Sequence, residues 1–294
     1  MNFKLIPIIL ALLLGCSHTL IGQDLKRKKK SSDGYFEDYY VLKSDKKIKQ
    51  GQYVRFDEDD LGNRSVSQMG FYERDQPADL WSYFHANGSS LKEEGSYREG
   101  KRNGLWKTFF KSDRLRSADS NELNQAIHVD ETGTIQILRN NLPIASEGVY
   151  LNGEKVGAWN YYSKKGQLID KYDHSNNKLV SDNRNDQNTP ILPYLGGEDH
   201  LDYLLHEFFD NLRGTKKSKT GKVEYAIDFS SNQPNFNLIA IKGNSNIKEI
   251  LREFVTNIPD YWLPSIDNNN YSKLIFTILE NDEIFYPEII FKKY

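Results

Sequence analysis

The residues that could do chemistry are few and scattered along the chain. Six histidines occur, and the closest pair, His200 and His206, does not share a helix face as metal ligands at i and i+4 would. Glu198 and Asp199 precede His200, but acidic residues in the first turn of a helix are explained more simply by the helix dipole. The sequence contains no motif of a zinc peptidase, serine hydrolase, phosphate loop or dinucleotide-binding fold. We therefore predict no catalytic residue, no metal site and no cofactor, and expect the protein not to be an enzyme.

The composition excludes further classes of protein. The chain has 294 residues, a length typical of two domains. Its net charge of −2 argues against a chain-wide nucleic-acid-binding surface, and its mean hydropathy of −0.69 excludes a polytopic membrane protein. Aromatic residues make up 13% of the chain, which predicts twisted β-structure in which large rings cover a thin core.

Residues 1–22 are typical of an export signal. Lys4 precedes the apolar run Leu5–Leu14, which is too short to span a bilayer as a helix but matches the apolar region of a signal peptide. Cys16, the single cysteine, follows a Leu-Leu-Gly triplet and resembles the cysteine of a bacterial lipobox. That resemblance implies lipidation at Cys16 and an exported, membrane-anchored lipoprotein facing the periplasm. Cleavage after Gly22 is the alternative, which would release a soluble periplasmic or secreted protein.

The next segment, residues 23–34, is strongly basic. It contains five consecutive cationic side chains over residues 26–30. Such a run is most simply a solvated tether, and it could also lie on anionic lipid head groups.

Self-similarity is the strongest internal signal, and it lies within residues 35–172. Three segments share a Gly-x-Tyr step followed by Trp eleven residues after the Gly, and Gly51 begins a degraded earlier copy. The Tyr and Trp residues of the three copies are Tyr72, Trp81, Tyr97, Trp106, Tyr150 and Trp159. Each copy predicts a β-hairpin, and because one hairpin cannot bury its apolar face alone, the copies must stack. The resulting aromatic ladder could dock a peptide, a glycan or a lipid surface, or it could simply be the core of a thin sheet.

Gly95–Trp106, with the sequence GSYREGKRNGLW, resembles the MORN-variant repeat, whose theme is G-x-Y-x-x-G-K-x-x-G-x-W. Gly148–Trp159 matches that theme almost as well. The resemblance implies stacked β-hairpins. Many relatives carry an antitoxin label, but an export signal does not suit a cytosolic antitoxin, so only the fold is carried over. Residues 118–146 interrupt the period and are expected to be an insertion or a decayed copy, at which regular stacking could break.

Residues 173–189 are polar and typical of a linker. From residue 190 onward, apolar periodicity predicts the order αββαββ, which is a small α+β domain with its helices on one face of an antiparallel sheet. The first helix follows Gly197, and the second is capped by Asn246 and ended by Pro259. The predicted strands cover residues 223–229, 236–241, 274–279 and 285–291.

Three motifs in this C-terminal part resemble the TonB C-terminal domain and occur in that family's order. They are Pro193–Glu198, Gly221–Phe229 and Ile258–Pro264. The resemblance spans residues 190–294 and implies a binding domain whose edge strand pairs with a short peptide of an outer-membrane transporter. The candidate edge contains Pro287, which a sheet tolerates only at its edge. Its expected partner-binding residues are Phe285, Tyr286, Ile289 and Phe291.

Together these patterns predict a mainly β plus α+β protein of stacked MORN-like hairpins followed by a TonB-C-like domain with two helices on an antiparallel sheet. We expect a non-enzymatic, lipid-anchored binding or scaffold protein of the cell envelope. Its expected partner is an envelope protein or peptide segment, of which an outer-membrane transporter is one candidate. The alternative is a TonB-type energy transducer that retains Leu5–Ile21 as a membrane anchor. Neither a nucleic acid nor a small-molecule substrate is expected as a partner.

Overall fold

A computed structural model describes most of the chain beyond residue 23. The described residues are 24–32, 34–58, 62, 64–85, 90–111, 127–129, 135–137, 142–183, 194–211, 221–228, 235–243, 246–258, 271–281 and 284–293. They form mostly antiparallel β-sheet with two helices, which confirms the expected class of a mainly β protein with an α+β part.

The N-terminal strands form one sheet in which neighbours in sequence are neighbours in space. Eleven strands pair antiparallel in chain order, and we call them the repeat sheet. They are β1 Leu25–Ser32, β2 Tyr35–Leu42, β3 Lys49–Glu58, β4 Arg64–Glu73, β5 Gln76–Phe84, β6 Leu91–Arg98, β7 Lys101–Phe109, β10 Ile144–Leu151, β11 Glu154–Tyr162, β12 Leu168–Asp173 and β13 Lys178–Asp182. The remaining pair, β8 Ile127–Val129 and β9 Ile135–Ile137, forms a separate two-stranded sheet.

The interruption between the second and third repeat copies does not break the sheet. Strand β10 pairs directly with β7, and Gly148 lies opposite Trp106. The expectation that stacking could break at residues 118–146 is therefore wrong. A long connection between two antiparallel neighbours costs little more closure entropy than a short one, so β7 and β10 can pair across it.

Three hairpins of the repeat sheet close through two-residue turns with left-handed backbone. The turns are Arg74-Asp75, Glu99-Gly100 and Asn152-Gly153, and all six residues have positive φ. Positive φ at both central residues is the type I′ geometry, whose twist matches the right-handed twist of the flanking strands. The turn sets the register of the residue pairs next to it. A register shift farther along each hairpin then brings the Trp of each copy beside its own Gly.

The repeat sheet extends beyond the boundaries expected from sequence at both ends. The basic segment over 23–34 is not a tether over most of its length, because β1 pairs with β2 from Leu25 to Ser32. The expected linker over 173–189 likewise contains β13, which pairs with β12. Both segments are polar because edge strands keep most of their side chains in water, so polarity alone could not distinguish an edge strand from a linker.

The C-terminal unit, residues 197–293, has the expected order αββαββ. Its elements are α1 Gly197–Asn211, β14 Gly221–Asp228, β15 Asn235–Gly243, α2 Asn246–Asn257, β16 Tyr271–Asn281 and β17 Ile284–Lys293. The four strands pair antiparallel in the order β15-β14-β16-β17, so β15 and β17 are the edges. Helix α1 lies against β17, and α2 lies against β14 and β15.

Helix α1 also packs on the repeat sheet. The Tyr203 ring lies 5.9 Å from the rings of both His85 and Phe110, which stand just after β5 and β7. Farther along the sheet, Lys164 Nζ lies 2.6 Å from Asp202 Oδ2. Helix α1 therefore crosses the ends of the repeat strands that lie away from the two-residue turns, and it joins the two sheets.

Candidate binding surfaces

Glycine is required at the start of each repeat copy because an indole ring occupies the space of a side chain. A Cβ added to Gly70, Gly95 or Gly148 would lie 2.2–2.4 Å from the ring of the Trp in the same copy. Each indole Nε1 donates a hydrogen bond, 3.0–3.1 Å long, to the carbonyl oxygen of the residue after that glycine. The Gly-to-Trp spacing found in the sequence is therefore a packing unit: backbone on one strand and indole on the next.

The six predicted repeat aromatics form one continuous ladder across the sheet. Within each copy the Tyr and Trp rings meet edge to face with centroids 5.2 Å apart, and rings of successive copies lie 5.7–5.9 Å apart. Edge-to-face contact at these distances contributes roughly 0.5–1.5 kcal/mol for each pair beyond area burial. All three Trp side chains are at most 2% exposed. A ligand cannot reach them without opening the fold, so the indoles are core, and only the partly exposed tyrosines present a surface.

Two members of the ladder were not predicted. Tyr53 lies opposite Gly70 in the register and contacts Tyr72 at 5.1 Å, so it takes the position of a Trp. His174 contacts Trp159 at 5.8 Å at the other end. The Gly51-Gln52-Tyr53 head of the degraded copy was a signal for Tyr53, although its ring has the role of Trp rather than of Tyr. No feature of the repeat sequence indicated His174. Burial lowers the pKa of the His174 imidazole to about 4, and the positive charge of Lys155 lowers it further in the same direction.

A row of cations covers the ladder at one recurrent position, which sequence reasoning missed. Lys49, Arg102 and Lys155 each stand four residues before the ring that they cover, at 4.7, 4.2 and 4.2 Å from the centroid. These distances are typical of cation–π contacts. A cation stands four residues before three of the four large rings, and this spacing in the sequence could have indicated the row. The exception is Trp81, which Pro77 precedes at that spacing.

One cation of this row belongs to a half-buried ion pair. Arg102 Nη2 lies 2.6 Å from Glu93 Oε1, and Arg102 Nη1 donates to the Tyr150 hydroxyl at 3.2 Å. Burial raises the pKa of the Glu93 carboxyl, and the charge of Arg102 opposes that shift. Burial also disfavours the charged form of Lys155, which lowers the pKa of its ammonium group to about 8. The ion pair and the hydrogen bond to the hydroxyl together fix the position of the Arg102 guanidinium on this face.

A second polar cluster holds α1 to the repeat sheet. His85 Nδ1 lies 2.6 Å from Glu207 Oε1, His85 Nε2 lies 3.1 Å from the Phe109 carbonyl oxygen, and Lys92 pairs with Glu207 Oε2. Burial alone would raise the pKa of the Glu207 carboxyl, but the hydrogen bond from His85 and the charge of Lys92 bring it down to about 2. Residues far apart in sequence form this cluster, so no local motif could have revealed it.

The predicted partner strand lies at an edge of the C-terminal sheet. Strand β17 pairs only with β16 among the described strands, over ten residue pairs, with Pro287 opposite Ile278. Of the predicted contact residues, Phe285 and Tyr286 lie opposite Glu280 and Leu279. Ile289 and Phe291 lie farther along the same strand, opposite Phe276 and Leu274. All four predicted contact residues therefore lie on one edge strand, whereas the repeat aromatics are distributed over several strands of the repeat sheet.

Cys16 and the predicted export signal over 1–22 lie outside the described residues. Among the residues that the structure describes, no group of three or more histidine, cysteine or acidic side chains could hold a metal ion. Within the same ranges, no helix combines the length and apolar character needed to cross a membrane.

No protein-family model, no curated protein and no solved structure matches this chain.

Proposed function

We propose that this protein is a non-enzymatic scaffold of the cell envelope, anchored by a lipid at Cys16. In this proposal the repeat sheet is a MORN-like spacer, and the C-terminal unit is TonB-C-like and binds an envelope protein or peptide by strand addition. The observation that carries the proposal is β17, a ten-residue strand at an edge of an antiparallel sheet. An edge of that length offers unpaired backbone groups to an extended peptide, with affinity from the backbone and specificity from alternate side chains.

The packing of α1 supports a role in presentation. Because α1 is fixed to the repeat sheet by the Glu207 cluster and also lies against β17, the edge strand is held at a set position relative to the spacer. A rigidly held edge loses less conformational entropy when a partner strand is added.

Photo-crosslinking of the full chain in cells tests the partner edge. A benzophenone amino acid at Tyr286 of β17 should capture an envelope protein, whereas the same group at Asn237 of β15, the opposite edge, should not. Equal capture from both edges, or none from Tyr286, would contradict binding at β17.

Two neighbouring proline substitutions test whether the binding is strand addition. Adjacent residues of a strand point their N–H groups to opposite sides of that strand. One of the two variants, Glu288→Pro or Ile289→Pro, therefore removes an N–H donor that points away from the sheet. The other variant removes an N–H donor that bonds to β16. The outward variant should keep the midpoint of unfolding within a few degrees and lose capture. If neither variant loses capture while remaining folded, the partner does not use the backbone of β17.

The anchor is tested by labelling with a palmitate analogue. Incorporation should disappear in Cys16→Ala, and the mass of the native N-terminus should correspond to a diacylated residue 16. An unlabelled protein beginning at residue 23 would contradict the anchor and favour the released form.

A further inference from the structure

The N-terminal edge of the repeat sheet is a strand of cations. Lys26, Lys28 and Lys30 alternate along β1 with Arg27 and Lys29, so positive charges project from both faces of the sheet. Side chains on opposite faces of a sheet share a common surface only along the edge of that sheet, so the cations of β1 lie together along this edge.

A neighbouring turn adds to the same charge. The connection between β2 and β3 carries exposed Lys46 and Lys47, and Lys28 Nζ donates to the Lys46 carbonyl oxygen at 2.5 Å, which brings the turn against β1. We call the five side chains Lys26, Lys28, Lys29, Lys46 and Lys47 the basic corner. Residues 24–47 contain eight basic and five acidic side chains, in a chain whose net charge is −2.

The basic corner is not neutralised within the fold. Three other cations there have acidic partners: Arg27 with Asp38, Lys30 with Glu37, and Lys43 with Asp24. Among the described residues, none of the five lysines of the basic corner forms an ion pair with a carboxylate. Asp45 lies in the same turn and Asp38 lies opposite Lys29 in the register, so the basic corner keeps a net positive charge, which is complementary to an anionic surface outside the molecule.

Protection of a sheet edge against aggregation is the simpler explanation of lysines on β1. It does not account for the two lysines of the turn, which lie outside any strand. It also predicts similar cationic protection of β13 at the opposite edge, whose five residues include a single cation, Lys178, beside the acidic Asp182. The charge is concentrated at one end of the sheet.

That end is also the one nearest the proposed anchor. Leu25 lies nine positions after Cys16, and nine residues of fully extended chain span at most about 30 Å. A diacylated anchor by itself binds a membrane stably, so a basic patch beside it would set the orientation of the protein rather than hold it there. Resting on the lipid anchor of the proposed function, we infer that the basic corner binds the anionic head groups of the anchoring bilayer, so that the repeat sheet stands edge-on to the membrane.

Amine acylation of the lipidated full chain in vesicles tests this orientation. The protein is placed in vesicles of phosphatidylcholine alone or with 30% phosphatidylglycerol, treated with an amine-reactive ester, and read by mass spectrometry. Labelling of Lys26 and Lys29 should fall at least fivefold in the anionic vesicles, and labelling of Lys178 should not change. Salt at 1 M should restore labelling, because the Debye length then shortens to about 3 Å.

Substitution of the turn lysines sharpens the test. Lys46→Gln with Lys47→Gln removes two charges, each contributing about fivefold to contact with an anionic surface, so labelling of Lys26 and Lys29 in anionic vesicles should return to within about twofold of its value in phosphatidylcholine alone. The matched control, Lys165→Gln with Lys178→Gln, removes two exposed charges elsewhere and should leave protection unchanged.

The possible outcomes separate this inference from the anchor itself. Protein that fails to float with phosphatidylcholine vesicles has no lipid anchor, which overturns the proposed function. Protein that floats but labels equally at Lys26 in both kinds of vesicle overturns the basic corner as a lipid contact. Protection in intact cells without protection in anionic vesicles would assign the corner to an acidic macromolecule, and would also overturn the inference.

Discussion

The repeat sheet and the C-terminal unit bury their apolar residues in different ways. In the repeat sheet, each Trp is covered by the glycine backbone of its own hairpin and by the tyrosines of adjacent strands, so the core is built from neighbours in sequence. In the C-terminal unit, α1 places Tyr203 against Phe110 of the repeat sheet while also lying against β17. An element order typical of a separate domain therefore does not make that domain independent.

The difference predicts how the two regions respond to damage. A hairpin repeat transmits damage to its neighbours through the sheet, as in a one-dimensional array. The C-terminal unit should respond to damage in the repeat sheet, because α1 takes part of its cover from there. Four substitutions follow, from the largest expected effect to the smallest.

Trp106→Ala tests how far the repeat sheet supports the C-terminal unit. Removing a fully buried indole from the middle of the ladder should lower the free energy of unfolding by about 3–5 kcal/mol, measured by denaturant titration. Hydrogen exchange should show that α1 loses protection together with β7. The matched control is Leu105→Ala, whose side chain is 56% exposed and whose loss should cost about 0.5 kcal/mol or less. Retained protection in α1 would show that the unit is independent.

Glu207→Gln tests the cluster that joins the two regions. The folded pKa of about 2 lies below the ordinary value of about 4.5, so the carboxylate stabilises the fold at neutral pH by about 3 kcal/mol. That contribution is complete above about pH 5 and is lost as the pH falls toward 2. The variant should be less stable at pH 7, and its stability should vary less with pH between 5 and 2. Exposed Glu154→Gln is the control, and an identical pH profile in E207Q and the parent would contradict the role of the cluster.

Gly95→Ala tests the local packing unit by itself. The added methyl group would lie 2.2 Å from the Trp106 ring, so the indole must move, at a cost of about 1–3 kcal/mol. The adjacent Ser96→Ala, on the exposed side of the same strand, should be nearly neutral. If G95A were as stable as S96A by thermal unfolding, the glycine would not be required by the indole.

Arg102→Lys should have the smallest effect of the four, because it keeps the charge. It removes the planar group that lies over Trp106 and reaches both Glu93 and Tyr150, for an expected loss of about 1 kcal/mol. Arg98→Lys, at an exposed position of the neighbouring strand, should change stability by less than half of that. A loss equal to that of Arg98→Lys would mean that the charge alone matters.

The sequence was most informative where the structure is local. The repeated Gly and Trp at a fixed spacing predicted hairpins, and apolar periodicity predicted the order αββαββ, because such patterns report which face of a strand or helix leaves water. Edge strands escaped the same reasoning. Strands β1 and β13 have polar side chains, and their pairing with β2 and β12 depends on backbone groups that every residue carries.

The candidate surfaces divide along the same line. Residue types and spacing were sufficient to select the six repeat aromatics and the strand over 285–291. The cation row was also present in the sequence, but its meaning depended on knowing that Tyr53 occupies a Trp position. The Glu207 cluster joins residues more than 100 positions apart, and no periodicity contains that information.

By itself, the sequence determined the hairpin unit, its turns and the order of helices and strands, because these depend on side-chain size and polarity within a few residues. It also predicted an anchor at Cys16, which stays a prediction. Only the tertiary structure decided that the three Trp residues are closed to ligands, that α1 binds both sheets, and that the lysines of β1 meet those of the next turn. Those outcomes depend on which surfaces meet when distant segments pack, and that choice is made by the whole fold rather than by any one segment.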